Sequence, residues 1–150
     1  MRVVLQRVLR ASVTVDGERV SEIGRGYLLL VGVGRGDQAD EPERLAEKIV
    51  HLRLFADDEG KTNRSLIDVG GEVLVVSQFT LYADLKKGRR PSWGEAEDPE
   101  IAAQRVEALA LALEGHGARV GRGVFGAKME VELLNDGPFT LVLEGSLSRT

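Results

Sequence analysis

Residues 27–31 read Tyr-Leu-Leu-Leu-Val and lie between Gly26 and Gly32. A short apolar run bounded by glycines, without polar residues in alternation, is typical of a strand that is covered on both faces. A second run of this kind, Val-Leu-Val-Val, lies within Glu72–Val76. Two strands buried on both faces predict a sheet with other elements packed on it, and place residues 27–31 near its centre.

Further strands and two helices surround these runs. The first helix has Asp40 as its N-cap and Glu43 three residues on, and the second begins at Pro99 and ends at Gly115 or Gly117. The predicted apolar stripes are Leu45, Ile49, Leu52 and Phe55 on the first helix and Ala102, Val106, Leu109 and Leu113 on the second. The other predicted strands are Arg2–Leu9, Ser12–Asp16, Glu18–Ser21 after the Asp16-Gly17 turn, and about Ala118–Val124, Lys128–Leu134 and Phe139–Glu144.

The order of elements, ββ-(βα)2-βββ, predicts an α/β fold: a mixed, curved, barrel-like sheet with two helices. At 150 residues the chain fits a single domain over residues 1–150. It has no cysteine, which excludes disulfides, thiol nucleophiles and Cys-ligated zinc and fits a cytoplasmic protein. Charges interrupt the apolar residues of the first segment, so we expect neither a signal peptide nor a membrane span.

The stretch Asn135-Asp136-Gly137-Pro138-Phe139-Thr140 is unusual for the hairpin turn that its position predicts. An Asn-Gly or Asp-Gly pair is the common two-residue hairpin turn. Here Pro138 follows Gly137 and removes a backbone N–H where strand pairing should resume. A Gly-Pro bond can also be cis. The local rules therefore leave this stretch unexplained.

Two other patterns are weak. Residues 121–126 match the dinucleotide fingerprint G-x-G-x-x-G, but a strand rather than a helix follows, so a bound pyrophosphate would lack helix N–H donors. His51 and His116 are the only histidines, and two isolated histidines make a poor ligand set. We expect no metal and no cofactor.

Two adjacent segments are better candidates for a site. Ser77-Gln78-Phe79-Thr80 follows a buried strand, and strand ends can leave N–H groups free to stabilise an oxyanion. An ordinary strand with a polar wet face explains the same pattern. Lys86, Lys87, Arg89 and Arg90 share the long loop from Asp84 to Asp98, which is either a phosphate-contacting or a merely solvated loop.

The sequence resembles the D-aminoacyl-tRNA deacylase family over nearly its whole length. The likeness includes the opening Met1–Val8, the motif SQxxL at Ser77–Leu81, Gly88–Trp93, Phe125–Met129 and the motif NxGPxT at Asn135–Thr140. Trp93 stands where phenylalanine is more usual in the family, and Phe139 where a smaller apolar residue is common.

The resemblance implies a cytoplasmic homodimer without a metal that hydrolyses the ester between a D-amino acid and the 3′-terminal adenosine of tRNA. It implies a cis Gly137-Pro138 pair that reaches into the partner's active site and excludes L side chains, held by Arg7 within a motif that also contains Asn135 and Thr140. Glycyl-tRNA, which has no side chain to exclude, should be cleaved as well. Backbone N–H groups of Ser77, Gln78 and Phe79 would bind the amino group or the oxyanion, and Phe125 and Met129 would line the adenine.

The role of Thr80 has two interpretations. In the first, Thr80 is the nucleophile, although the sequence shows no activating base for it; in the second, the ribose 2′-hydroxyl of the substrate positions or activates water, and the protein, with Thr80 in its catalytic segment, supplies donors and geometry. We favour the second. Two other functional hypotheses are a non-catalytic binder of the tRNA end and an editing domain related to those fused to some threonyl-tRNA synthetases.

Overall fold

The structure is a computed structural model that describes residues 1–145. Two helices lie against a mixed sheet within that range, α1 at Glu41–His51 and α2 at Pro99–Gly115. The strands are β1 Arg2–Val15, β2 Glu18–Ile23, β3 Gly26–Gly32, β4 Phe55–Ala56, β5 Thr62–Arg64, β6 Glu72–Ser77, β7 Arg119–Arg122 and β8 Glu130–Glu144. None of the helices in residues 1–145 is long and apolar enough to cross a membrane.

The sheet is mixed and curves until it is nearly closed, as predicted. Its order is β2-β1-β3-β6-β7, and β8 pairs with the other edge of β1. Strands β3, β6 and β7 are parallel to one another, whereas β1 is antiparallel to β2, β3 and β8. The predicted central position of residues 27–31 is confirmed, since β3 lies between β1 and β6.

Side chains of β3 alternate between two hydrophobic clusters. Tyr27, Leu29 and Val31 face the cluster that includes α1 and α2, and Leu28 faces a second cluster on the opposite side of the sheet. Burial on both faces explains why this strand is a continuous apolar run rather than an alternating one.

The beginning of the chain differs from the prediction in one respect. The two predicted strands Arg2–Leu9 and Ser12–Asp16 form the single strand β1, because β8 pairs with β1 along nearly its whole length and keeps it extended. The Asp16-Gly17 turn is confirmed, and both residues have positive φ angles, 51° and 79°. The short ribbon of β4 and β5 is not predicted, because its strands are only two and three residues long.

The largest difference concerns the end of the chain. The predicted strands Lys128–Leu134 and Phe139–Glu144 are β structure from Glu130 onward, but the turn predicted between them is wrong, because β8 runs without reversal from Glu130 to Glu144. Its partner β1 is one continuous strand, with Asn135 opposite Val8 and Thr140 opposite Gln6. Residues 136–139 therefore form a bulge opposite Arg7 alone, where Pro138 needs no N–H for strand pairing. The Gly137–Pro138 peptide bond is cis.

Both helices lie where they were predicted. Asp40 is the N-cap residue of α1, but its carboxylate binds Arg44 and makes no side-chain capping hydrogen bond. The helix ends at His51, so Phe55 belongs to β4 instead. Helix α2 ends at Gly115, and Gly117 has the positive φ of 95° that favours glycine after a helix end.

The hydroxyl of Tyr27 is the one buried side-chain polar atom in residues 1–145 that lacks a hydrogen-bond partner. Its ring is stacked on Phe55 with the ring centroids 5.3 Å apart, and burial raises the pKa of its phenol. Tyr27→Phe keeps the ring and removes the unsatisfied group, so we expect the free energy of unfolding to rise by about 1 kcal/mol. Denaturant unfolding would measure it. Tyr27→Leu is the control that loses the stacking and should be destabilised; a loss of stability in Tyr27→Phe would show that the hydroxyl has a partner.

Candidate active site

The carboxyl ends of β3 and β6 lie side by side because the two strands are parallel and in register, with Val31 opposite Ser77. Open α/β sheets bind ligands at this edge. After Ser77 the chain leaves the sheet through Gln78 and forms a single 3-10 turn at Phe79–Tyr82. The motif at residues 77–81 is therefore the point at which β6 ends and the chain turns.

Two glycines and an arginine hold this turn against the sheet. A β-carbon on Gly34 would lie 2.5 Å from the Tyr82 ring, and one on Gly32 would lie 3.1 Å from the carbonyl oxygen of Gln78. Arg2 donates a 2.6 Å hydrogen bond to the carbonyl of Leu81 and lies over the Tyr82 ring at 4.7 Å. Only glycine permits this approach, so the turn is fixed by packing.

A cavity of about 400 Å³ opens beside the turn. This volume lies within the range of small-molecule pockets. Its floor is apolar, and the exposed rings of Phe79, Trp93 and Phe125 stand around it. The rings of Phe79 and Trp93 meet edge to face with centroids 5.0 Å apart. The lining residues are Val31, Val33, Arg35, Ser77, Gln78, Phe79, Trp93, Ala96, Glu97, Asp98, Pro99, Ala102, Val106, Phe125 and Gly126.

The backbone donors at this edge number fewer than the sequence predicts. Gln78 donates its N–H to the carbonyl of Val31 at 2.7 Å, because pairing between β6 and β3 continues one residue beyond the strand. The N–H of Gln78 is thus already used in the sheet, and its predicted part in binding substrate stays a prediction. Ser77 is the last residue of β6, and in residues 1–145 the N–H of Phe79 has no backbone partner outside the helices and strands. The N–H of Phe79 therefore remains as a donor that can stabilise a negative oxygen.

Thr80 lies next to the cavity but is not among its lining residues. Its hydroxyl accepts a short hydrogen bond from the side-chain amide of Gln78, and this is its only side-chain partner in the described part of the chain. An amide N–H is a donor and cannot take a proton from the threonine hydroxyl. The geometry therefore provides Thr80 with no base.

Phe125 and Met129, the two predicted adenine-lining residues, are separated by the structure. Phe125 lines the cavity and is 41% exposed. Met129 packs against the second hydrophobic cluster, and its sulfur accepts a 3.4 Å hydrogen bond from the N–H of Val124. It supports the loop that carries Phe125.

The four cations that were predicted to contact phosphate lie on one exposed loop beside the cavity. Asp84 and Ser92 exchange two backbone hydrogen bonds of 2.8 and 3.1 Å, which close the base of the loop. Nothing in residues 1–145 forms an ion pair or side-chain hydrogen bond with the cations between them, Lys86, Lys87, Arg89 and Arg90. Their charges are open to solvent.

Gly137 and Pro138 are absent from the wall of the cavity in this chain. Arg7 binds the residue before them, through a 3.2 Å hydrogen bond to the carbonyl of Asp136 and a 3.1 Å ion pair with its carboxylate. Asn135 donates to the carbonyls of Arg7 and Phe139, at 3.0 and 3.1 Å. Arg7 therefore bonds the carbonyl of Asp136 rather than the carbonyls of Gly137 and Pro138, and the supporting roles of Arg7 and Asn135 stay predictions.

Thr140 is the last residue of the motif and returns β8 to regular pairing. Its hydroxyl accepts a 3.2 Å hydrogen bond from the side chain of Gln6.

His51 and His116 lie apart from all these residues on the surface, with ring centroids 5.8 Å apart and Glu47 beside both.

One wall of the cavity is not predicted by the sequence. Val33, Arg35 and residues 96–98 belong to the loops after β3 and before α2, and Gly34 and Ala96 form an isolated bridge between those loops. Local rules identify the glycine-rich segment 32–36 only as a loop. The signal that could have identified this segment is its position directly after the central strand β3. Strand β6, which lies next to β3 in the sheet, ends at the 77–81 motif, so the segment after β3 lies at the same edge.

The nearly closed mixed sheet, the two helices and the cavity at the strand ends define an α/β protein of the tRNA-deacylase fold. The model of the D-Tyr-tRNA(Tyr) deacylase family matches residues 4–144, and the chain belongs to that family.

Two relatives named D-aminoacyl-tRNA deacylase are each 60% identical to the chain. The protein of Roseiflexus castenholzii aligns over 149 residues, 99% of this chain and 95% of its own length, and that of Chloroflexus aurantiacus over 146 residues, 97% and 91%. A solved structure of the c-Myc DNA unwinding element binding protein is 42% identical with a TM-score of 0.88 and covers 96% of this chain and 98% of its own. A probable eukaryotic D-amino acid tRNA deacylase, at 20% identity and a TM-score of 0.80, shares the fold, with coverage of 95% and 97%.

Proposed function

We propose that this protein hydrolyses the ester of D-aminoacyl-tRNA and releases the D-amino acid and free tRNA. The observation that carries the proposal is the cavity at the end of β6, which Ser77, Gln78 and Phe79 line and three aromatic rings surround, so that a base can stack there. Family membership supplies the reaction. Release of the amino acid from D-aminoacyl-tRNA tests it, because a protein that only binds the tRNA end would leave the ester intact.

The proposed chemistry is addition of water to the ester carbonyl. The carbonyl oxygen becomes negative and is stabilised by the N–H groups of Ser77 and Phe79, and collapse of this intermediate breaks the bond to the ribose 3′-oxygen, which leaves with a proton. The neighbouring ribose 2′-hydroxyl positions or activates the water. Thr80 as nucleophile is the alternative, and the absence of a base beside its hydroxyl in residues 1–145 argues against it.

The chirality filter is proposed to come from a second subunit. Gly137 and Pro138 lie outside the cavity of their own chain, so a homodimer is needed to bring them to a substrate. A wall of main-chain atoms rejects one enantiomer by exclusion whatever its side chain, and therefore admits many D-amino acids. Arg7 and Asn135 hold the chain immediately before and after this pair.

We further propose that residues 1–150 act as one deacylase domain in the cytoplasm. The editing domain of a threonyl-tRNA synthetase remains the alternative among tRNA-end hydrolases. Preference for D- over L-aminoacyl-tRNA separates the two, and both signature motifs of the deacylases are present here.

Glycyl-tRNA is expected to be cleaved together with D-aminoacyl-tRNA. Selection by exclusion acts on a side chain, and glycine has none to exclude. Single-turnover assays with glycyl-tRNA and with D- and L-alanyl-tRNA, at equal enzyme concentration, measure this. Glycyl-tRNA as resistant as the L-alanyl ester would contradict selection by exclusion.

Replacing Lys86, Lys87, Arg89 and Arg90 together by alanine is expected to raise KM and leave kcat nearly unchanged. These unpaired cations are proposed to bind phosphates, and removal of one phosphate-binding cation reduces the dependence of binding on salt by about one unit of log–log slope. KM measured from 50 to 200 mM salt gives that slope. Lys48 and Lys61, on other surfaces, are the control pair; an equal effect of their replacement would assign the change to net charge.

A further inference from the structure

Arg2, the first residue of β1, contacts two distant parts of the chain. Its Nη1 donates a 2.6 Å hydrogen bond to the carbonyl of Leu81, and its guanidinium carbon lies 4.7 Å from the centroid of the Tyr82 ring. Its Nε donates a 2.6 Å hydrogen bond to the carboxylate of Glu144, the residue opposite Arg2 in the pairing of β1 with β8. One guanidinium therefore joins the turn after β6 to the paired ends of β1 and β8.

The 3-10 turn at Phe79–Tyr82 is weakly held by its own residues. It is four residues long, its N-cap makes no side-chain hydrogen bond, and none of its side chains is buried. Leu81 and Ala83 donate backbone hydrogen bonds of 3.2 and 3.1 Å within it. A helical turn this short is not stable alone, because few hydrogen bonds offset the fixing of its dihedral angles. Contacts from outside the turn, such as those of Arg2, must therefore hold it.

The contact with Leu81 lies two residues after the proposed oxyanion donor, the N–H of Phe79. In a turn of about three residues, movement at one end reorients the peptide planes at the other. A backbone N–H stabilises a developing negative oxygen only when it is aimed at the position that this oxygen will occupy. Arg2 is not among the residues that line the cavity, so its effect on a substrate there is indirect.

We propose that Arg2 is a positioning residue for catalysis, which holds the turn so that the N–H of Phe79 faces the reacting carbonyl oxygen. The inference rests on the hydrolysis proposed above, and Arg2 lies outside both signature motifs. Glu144 orients Arg2, because it binds Nε and leaves Nη1 to the carbonyl of Leu81. A lysine would not replace Arg2, since an ammonium has neither the planar face that stacks on a ring nor the fixed fork of donors.

Arg2→Met keeps an unbranched side chain and removes its donors. With D-tyrosyl-tRNA we expect kcat to fall about tenfold and KM to stay unchanged, which is part of the effect of losing an oxyanion donor outright. Arg2→Lys should recover little of this loss. Arg19→Met is the matched control, because Arg19 forms a 3.0 Å ion pair with Glu22 on the exposed surface of β2, and its kcat should be unchanged. An unchanged kcat in Arg2→Met would overturn the proposal.

A double variant separates positioning from a general effect on the fold. If Arg2 acts through the N–H of Phe79, Phe79→Pro already removes the group that Arg2 positions. Adding Arg2→Met to Phe79→Pro should then change kcat by less than about twofold, the usual limit of additivity for independent sites. A further tenfold fall, so that the two effects multiply, would give Arg2 a separate structural role and refute the proposal.

Amide hydrogen exchange of the free protein tests the contact without a substrate. Arg2→Met should speed exchange at Leu81 and Ala83 about tenfold and leave the amides of β6 protected, because only the turn is released. Arg19→Met should leave both regions unchanged. Exchange at the turn that does not respond to Arg2→Met would contradict the proposal whatever the activity.

The two measurements also distinguish this inference from the proposed function. A wild-type protein that does not release D-tyrosine would refute the hydrolysis, and exchange at the turn would still decide whether Arg2 holds it. If Arg2→Met does not fold, Glu144→Gln replaces it, because this change weakens the bond that orients Nε. The same faster exchange at the turn is then expected, and an unchanged rate would count against the role of Arg2.

Discussion

D-tyrosyl-tRNA is expected to lose its amino acid about a thousand times faster than L-tyrosyl-tRNA, a difference of about 4 kcal/mol in transition-state free energy. The proposed reason is steric: exchange of the hydrogen and the side chain on the α-carbon would drive the L side chain into main-chain atoms of Gly137 and Pro138, which cannot rotate away. Release of labelled amino acid under single-turnover conditions gives both rates. Equal rates would remove the chirality filter from the proposal.

Gly137→Ala is the variant that tests this wall. A β-carbon at Gly137 would meet only Asn135 Oδ1 within its own chain, at 3.6 Å, which is an ordinary van der Waals separation. The subunit should therefore fold with an unchanged Tm, while turnover of D-tyrosyl-tRNA falls because the methyl group thickens the wall. Gly115→Ala is the matched control, since a β-carbon there meets nothing within 4 Å and the residue ends α2 away from the cavity. Unchanged turnover in Gly137→Ala would place the filter elsewhere.

Phe79→Pro is expected to lower kcat by about a hundredfold or more, the effect of losing one oxyanion donor. Proline removes the N–H of residue 79 and is tolerated at the first position of a helical turn. Phe79→Ala is the matched control, because it removes the ring but keeps the N–H, and should act mainly on KM.

Thr80→Ala should lower kcat less than about tenfold, since its hydroxyl has no base. Loss of turnover in Thr80→Ala with intact tRNA binding would make Thr80 the nucleophile.

Mixing the two variants tests the arrangement of the subunits. If Gly137 acts in the partner's site, a mixed dimer of Gly137→Ala and Phe79→Pro subunits has one site with both changes and one with neither. Exchange of subunits should then restore activity that neither variant has alone. If the site belongs to one chain, every site in the mixture carries a change, and activity stays low.

The regular parts of the fold were predictable because their signals are local. The apolar run at 27–31, the two amphipathic helices and the Asp16-Gly17 turn each depend on residues within one element. The error at the end of the chain arose because Asn135–Thr140 has the composition of a turn, while its pairing is decided by β1, more than 120 residues away in sequence. The sequence shows that Pro138 lacks an N–H. It cannot show that Pro138 lies in a bulge, where strand pairing does not need that N–H.

The candidate site, like the fold, was predictable only where the signal is local. The motifs at 77–81 and 135–140 pointed to the residues, but not to which of their groups are free. Only the tertiary structure shows that the N–H of Gln78 is already bonded to Val31, that Met129 lies beneath the loop of Phe125, and that Arg7 binds Asp136. Hydrogen-bond partners across a sheet depend on register, which no single segment contains.

The sequence by itself determined the family, the central buried strand, both helices and the absence of thiol chemistry, because these follow from residue types and short-range periodicity. The tertiary structure alone decided that β8 is continuous, that the N–H of Gln78 is bonded to the carbonyl of Val31, and that the loops after β3 and before α2 meet at the cavity. Each of these depends on groups far apart in the chain, and their free energy is set by burial and geometry that exist only once the sheet has formed.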